Sequence, residues 1–366
     1  MLLESVEALN FRNLQGGIRF SPELNILVGE NGQGKTNWLE AIAVLASTRS
    51  FRTAQLKETI NFDQQAASIK GDVRESPEIV RELQVIISPS AKTLSVNGKK
   101  ETAQRYLGQL HAVVFNADEL EIVRGQPDAR RRFLDAGIVS LHPPFVQVMA
   151  DYGRVIKQKN ALLQQARDSD RSVEHARELL VPWNEQLAVL AARIHKSRIR
   201  FVERLNEVLE KKLFGREELS VRYVSALEGK GDLTNYAELI AERLDLRVQA
   251  EVAAGHALIG THRDDMELRF DGRDLRKYAS AGQQSSALLL LQLANVAVFH
   301  ATRGEYPLFL LDDIDAELDF QRLEKLLDFL KGKTQTFITT SKDSFVEKFG
   351  QNTLVFRVRS GVAKPA

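Results

Sequence analysis

Leu24-Asn25-Ile26-Leu27-Val28-Gly29-Glu30-Asn31-Gly32-Gln33-Gly34-Lys35-Thr36 decides how this chain reads. The stretch opens as a short apolar run with β-branched members that stops at glycine, the pattern of a buried strand. From Gly29 onward it fits G-x-x-x-x-G-K-[ST] in full, and the residues to about Ser47 read as a helix. The glycines let successive backbone N–H groups turn inward around a β-phosphate. Lys35 brings a point charge toward the β and γ oxygens, the Thr36 hydroxyl is a ligand for Mg2+, and the helix offers its positive end. Gly29, Glu30, Asn31, Gly32, Gln33, Gly34, Lys35, Thr36 and Asn37 are therefore the expected nucleotide-binding residues, with ATP and Mg2+ as the ligands.

Such a cradle needs a carboxylate to hold its metal. Leu308-Phe309-Leu310-Leu311-Asp312-Asp313 supplies one, as an apolar strand delivering acids at its C-terminal end. Asp312 is expected to hold Mg2+, directly or through a water. Asp313 is expected to polarise the attacking water, which makes it the catalytic partner of Lys35. Between the two motifs, Tyr278-Ala279-Ser280-Ala281-Gly282-Gln283-Gln284 opens a long apolar helix. Ser280, Gly282 and Gln283 would form a second anion site at its N-terminus. Taken alone, the same residues are also an ordinary helix cap.

Working outward, residues 68–73, 82–87, 93–96 and 111–115 read as strands, with Asn97-Gly98 as a tight hairpin turn because both tolerate positive φ. From Pro127 to about Phe214 the pattern is helical, with Pro143-Pro144 and Pro182 placed as helix starts or breaks. Residues 218–225 read as a lone strand and 235–251 as a helix. Strand 266–270, helix 283–300, strand 307–312, helix 320–330 and strands 335–339 and 353–359 follow. The architecture is α/β. A P-loop head is built from both ends of the chain, residues 1–125 and 255–366, with a short helical arm inserted at 126–254.

Composition bounds the function. A hydrophobic fraction of 43% with 27% charged residues is that of a folded globular protein, and the absence of cysteine excludes disulfides and thiolate metal sites. The longest apolar stretch, residues 287–299, is broken by Gln292 and Asn295 and is too short for a bilayer. No basic-then-apolar leader opens the chain, so a soluble intracellular protein is expected. Lys and Arg number 50 against 49 Asp and Glu, a net charge of +1 that argues against a generally basic nucleic-acid binder.

The order P-loop, Ser-x-Gly-Gln, acidic strand resembles that of ABC-type ATPases, in which the serine loop of one protomer closes on the γ-phosphate held by another. Ala316-Glu317-Leu318-Asp319 resembles the dimer-contacting loop of that class. Thr339-Thr340-Ser341 stands where those proteins place a γ-phosphate sensor that is often His. Transporter subunits separate P-loop and signature by roughly a hundred residues and long-armed SMC-like proteins by many hundreds. Here Lys35 and Ser280 are ~245 residues apart, which implies a head with a short arm. The blocks GENGQGKTNWLEAI (29–42), VVFNADELEIVRGQPDARRRFLD (113–135), GTHRDD (260–265), SAGQQ (280–284) and LLDDIDAELD (310–319) together resemble the RecF family, over nearly the whole chain. That resemblance implies ATP-dependent homodimerisation, binding to gapped or junction DNA, and slow hydrolysis by an Asp, one methylene shorter than the Glu usual in ABC proteins. It also implies work with RecO and RecR in loading RecA. The chain departs from the family's usual residues at Ala117 and Thr261, where Pro is usual, at Trp38, where Leu is usual, and at Ser285-Ser286, where Arg-Thr is usual. Two other classes share parts of the pattern. A transporter-type ATPase subunit would need a membrane partner, and a P-loop small-molecule kinase would need no signature loop.

Other residues carry more than one reading. His262-Arg263-Asp264-Asp265 has metal-ligand chemistry but no second His at ligand spacing, which favours a structural network or a dimer contact. Arg12, Arg49 and Arg52 resemble arginines that approach nucleotide or DNA in SMC-like heads. For DNA, Arg124, Arg130, Arg131 and Arg132 form the densest basic cluster. Alternatively, Arg193, Lys196, Arg200 and Arg204 fall within about 80° of one helix face, beside an apolar stripe of Leu187, Leu190, Ile194, Phe201, Leu205 and Val208. Glu203 and Glu207 share that flank and could neutralise it.

Overall fold

The computed structural model describes residues 1–168, 172–212, 218–314, 318, 320–351 and 353–366. Its organising element is a parallel sheet drawn from both ends of the chain. Numbering strands in chain order, β1 is Leu2–Phe11, β2 Leu14–Arg19, β3 Leu24–Val28, β4 Ala67–Ser76, β5 Ile79–Ile87, β6 Lys92–Val96, β7 Lys99–Glu101 and β8 Ala112–Phe115. Then come β9 Leu219–Val224, β10 Asp265–Phe270, β11 Arg273–Asp274, β12 Leu308–Leu311, β13 Thr336–Thr340, β14 Leu354–Arg359 and β15 Val362–Pro365. The parallel sheet has the order β15-β14-β3-β13-β12-β8, with only β15 antiparallel. The apolar run that begins the P-loop is therefore a central strand, buried on both faces. Ile26 joins one core with Phe309, Leu311 and Ile338, while Leu27 joins the other with Leu308, Leu310 and Phe337.

One face carries the P-loop helix Lys35–Ser47. Beyond it lies an antiparallel sheet of order β2-β1-β4-β5-β6-β7. Layers on both sides explain why this helix is apolar all round, from Trp38 to Ala46, with Glu40 as its one buried acid. The hairpin turn forms where the sequence places it, with Asn97 at φ 50° and Gly98 at φ 73°. Strands β1 and β2 were not legible because the β1–β4 register shifts between Leu3 and Ser5 and the β1–β2 register between Leu9 and Phe11. Those irregularities interrupt the alternation that marks a half-buried strand.

The other face carries the signature helix Ala281–Arg303 and the arm. This helix is long and apolar enough to cross a bilayer by length and composition, contrary to the reading of 287–299 as too short. Its leucines are instead core residues, with Leu288 and Leu291 wholly buried. The arm comprises helices Pro127–Leu141, Phe145–Arg167, Val173–Leu209, Tyr236–Leu246 and Val248–Ala254. Pro182 neither starts nor ends a helix but lies inside Val173–Leu209. Leu180 before it and Leu187 after it are both buried, so packing carries the helix past the missing N–H. The strand at 218–225 is not alone: β9 pairs antiparallel with β10 in a small sheet of order β11-β10-β9. The apolar stripe from Leu187 to Val208 faces the core.

Candidate functional site

The parallel sheet sets the geometry. Strand β13 lies between β3 and β12, so the P-loop and the acidic pair emerge at the same end of the sheet, separated by the end of β13. The Thr36 hydroxyl donates to Asp312 Oδ1 at 2.9 Å, and the Thr339 hydroxyl donates to the same oxygen at 2.6 Å. Thr339 Oγ1 in turn accepts from the Asp313 N–H at 2.9 Å. Thr339 thus fixes both carboxylate-bearing residues at once, at the place where ABC-type proteins often carry a histidine. Asp313 takes φ 47°, a left-handed turn that leaves its side chain exposed while Asp312 is buried. Burial raises the Asp312 carboxyl above the ordinary carboxylate range, and Asp313 pushes the same way. The Thr339 and Thr36 hydrogen bonds and the charge of Arg52 hold it back. A desolvated carboxylate oxygen beside a threonine hydroxyl is a hard-oxygen donor set that fits Mg2+.

The loop itself is held from outside. Lys35 Nζ donates to the Gly29 and Glu30 carbonyls at 2.9 and 3.0 Å, which places its ammonium within the turn. Gly32 and Gly34 have φ of 81° and 107°. Gly29 is required for a different reason: a Cβ there would lie 2.5 Å from the Val358 carbonyl oxygen. The turn between β14 and β15 clasps the loop. Ser360 N donates to Gln33 Oε1 and Gly361 N to the Gln33 carbonyl, both at 2.7 Å. Trp38 Nε1 donates to the Gly361 carbonyl at 3.1 Å, a contact that the leucine usual in the resembled family could not make. Asn37 bonds Asn13 and accepts from Arg52 at 2.7 Å, so its amide braces the loop from the side.

Glu40, which braces the P-loop helix, is a residue that sequence reading missed. Fully buried, it takes a two-pronged contact from Arg12 at 3.0 and 2.8 Å, a hydroxyl from Ser50 at 2.5 Å, and Arg52 at 3.5 Å. The signal was present, as a lone acid in an otherwise apolar helix. Arg12 and Arg52 are therefore tied to the P-loop helix. Arg49 is exposed and has no ion pair among the described residues.

The hydrogen bonds recorded for Ser280 and Gln283 stay within their own turn. Ser280 caps its helix in a reciprocal box, accepting from Gln283 N while Gln283 Oε1 accepts from Ser280 N. Ser280, Ala281, Gly282 and Gln283 are exposed. Ser286, one of the departures, accepts a hydrogen bond from Arg322 at 2.5 Å. Of the dimer-loop residues only Leu318, buried, is described; Ala316, Glu317 and Asp319 lie outside the described residues.

The His262-Arg263-Asp264-Asp265 segment is a structural hub. Tyr152 bonds His262 Nδ1 at 2.8 Å, Arg263 donates to the Ala257 carbonyl, and Asp264 accepts from Tyr223 and from Ala226 N. Burial lowers His262 to about 4, so the ring is neutral at physiological pH. Arg198 adds paired bonds to Asp135 at 2.9 and 3.0 Å. The basic cluster at 124–132 is divided between the interior and the surface. Arg130 is 1% exposed and bound through two nitrogens to Asp265, Arg131 donates to the Asp264 carbonyl, and Arg124 and Arg132 pair with Glu121 and Asp128. By contrast Arg193, Lys196, Arg200 and Arg204 are all exposed. Neither they nor Glu203 and Glu207 form ion pairs among the described residues.

Comparison with known proteins places this geometry. The model of the RecF/RecN/SMC N terminal domain matches residues 2–364. The DNA replication and repair protein RecF of Lactobacillus acidophilus is 35% identical over 350 residues, covering 93% of this chain and 92% of the relative. RecF of Bacillus subtilis is 33% identical over 370 residues, covering 99% of each. The solved structure of the recombination mediator protein RecF with ATP, from the RecFOR pathway, superposes with a TM-score of 0.90 at 29% identity, covering 100% of this chain and 97% of that one. On this evidence the chain belongs to the RecF family, within the group that shares the SMC-type ATPase head.

Proposed function

We propose that this chain is a recombination mediator in DNA repair and replication, an SMC-like ATPase that binds ATP and hydrolyses it slowly. In this reading two copies close around two nucleotides, and the closed dimer grips gapped or junction DNA. RecO and RecR are its partners in loading RecA, and hydrolysis resets it. Such a protein works in the bacterial cytoplasm, on the nucleoid.

One observation carries the reading. Thr36, Asp312, Thr339 and Asp313 meet at the ends of neighbouring strands, while Ser280 presents an exposed helix N-terminus whose own hydrogen bonds stay within its turn. Lys35 and the loop amides would hold the β- and γ-phosphates. Thr36 and Asp312 would hold Mg2+, which when bound neutralises charge on those phosphates. Asp313, with its backbone fixed by Thr339, would orient a water and accept its proton. Ser280, Gly282 and Gln283 would complete the site held by the other copy. Its short carboxylate arm supports slow turnover, as suits a switch whose ATP state is the working state. With Arg130 and Arg131 committed to the hub, the exposed face of Arg193, Lys196 and Arg200 is the better phosphate track.

Binding to gapped against blunt duplex, with and without ATP across a salt series, tests this reading. ATP should raise affinity for the gapped substrate, and the salt slope should be steeper with ATP because two protomers contribute basic residues. Equal binding with and without ATP would contradict it. A kinase reading predicts that Ser280→Arg leaves turnover intact, and a transporter reading predicts recovery with membranes.

A further inference from the structure

Of the four hub residues at 262–265, His262, Arg263 and Asp264 bond within the hub, to Tyr152, Ala257, Tyr223 and Ala226. Asp265 also reaches toward the signature turn. Asp265 takes the buried Arg130 through Nε and a terminal nitrogen at 2.6 and 3.1 Å, and its second oxygen also lies 3.5 Å from Arg276. Arg276 sits on the short turn Leu275–Tyr278, which runs directly into the signature cap at Ser280. Its side chain is partly exposed. Arg130 reaches the opposite way: its other terminal nitrogen donates to the Gly125 carbonyl at 2.8 Å. Gly125 ends the segment that follows β8. At the head of that segment the Phe115 carbonyl accepts the backbone N–H of Asp312 at 2.9 Å. Contacts at Phe115, Gly125, Arg130 and Asp265, joined by the covalent segment after β8, therefore link the metal-side carboxylate strand to Arg276, four residues before the signature serine in the chain.

We infer that Asp265 and Arg276 are positioning residues: their ion pair sets the angle at which the signature turn is presented to the nucleotide held by a second copy. The inference rests on the reading of an ATP-closed dimer. Asp265 is suited to the task because one carboxylate bridges a fixed cation and a movable one. Arg130, wholly buried, anchors it, and Arg276 carries the turn. The recorded partners of both residues lie outside the P-loop and the acidic pair, so the inference separates two quantities that a nucleotide-site defect would change together.

The test uses the full chain and ATP. Sedimentation equilibrium reads the ATP-dependent dimer constant, binding of a fluorescent ATP analogue reads monomer affinity, and thermal unfolding reads stability. Arg276→Gln should weaken the dimer about fivefold, since two exposed pairs act per dimer, with monomer nucleotide affinity and Tm unchanged. Arg276→Lys should restore most of the loss. Asp265→Asn should weaken the dimer at least as much, and the double variant should be no worse than Asp265→Asn alone, because Arg276 acts through Asp265. If Asp265→Asn unfolds by stranding Arg130, the Arg276 variants still decide the matter. A wild type that dimerises with ATP beside an Arg276→Gln that dimerises equally overturns the positioning role alone. Additive losses in the double variant would overturn it too, by assigning Arg276 a direct contact. A wild type that binds ATP but stays monomeric removes the dimer reading, and this inference with it.

Discussion

At the scale of single residues, the site depends on hydroxyls as much as on charges. Thr339 is wholly buried and serves Asp312 and Asp313 at once, so Thr339→Val leaves a desolvated carboxylate short of a donor and frees the Asp313 backbone. ATP turnover should fall about a hundredfold, the scale of losing a positioned group, with nucleotide affinity reduced far less. Steady-state hydrolysis beside equilibrium ATP binding separates the two, and a parallel loss in both would contradict the assignment. Glu40 is the reverse case, a buried acid whose role is cohesion. Glu40→Gln strands Arg12 against the P-loop helix and should cost about 3 kcal/mol in chemical denaturation, whether or not ATP is present. Lys35→Met removes the point charge in the loop and should abolish ATP binding measured by equilibrium dialysis.

At the scale of elements, the P-loop is held by a piece of chain more than three hundred residues away, the β14–β15 turn. Gly361 has φ 82°, and a Cβ there would meet the Asn13 carbonyl at 1.9 Å. Gly361→Ala should therefore loosen the loop from behind, weakening ATP binding although no phosphate contact changes. Calorimetric titration checks this, and unaltered affinity would refute the clasp. These elements also show what a sequence can and cannot reveal. The P-loop, the acidic strand and the signature cap are local patterns, each a few residues of fixed spacing, and all three are where their residues place them. Arg130 reads as surface charge because its partner, Asp265, is 135 positions away. Pro182 reads as a break because local chemistry favours one, and only packing by Leu180 and Leu187 overrides it. Glu40 stood in plain view within an apolar helix, but its arginines come from outside the helix, so spacing could not pair them.

At the scale of the whole molecule, the near balance of charge no longer argues against a DNA partner. Arg130 and Arg131 are consumed internally, whereas Arg193, Lys196, Arg200 and Arg204 stay exposed on one helix that a second copy would duplicate. Buried histidines give the fold an acid limit. His111, His195 and His262 are each pushed by burial to about 4 from 6.5, so below about pH 6.5 the unfolded chain takes up protons that the fold refuses. Stability should fall between pH 6.5 and about 4, by about 1–3 kcal/mol per histidine. The raised carboxyls of Asp264 and Asp312 act in the opposite sense, returning some stability as they protonate. Denaturant midpoints at pH 7.5 and 5 check the sign. The central claim is that ATP joins two copies through Lys35 on one and Ser280 on the other. Multi-angle light scattering of wild type and Ser280→Arg, each with ATP, tests it most directly. The account predicts a doubled mass for the wild type and monomer mass for Ser280→Arg despite bound ATP; monomer mass for an ATP-loaded wild type, or a dimer of Ser280→Arg, would contradict it.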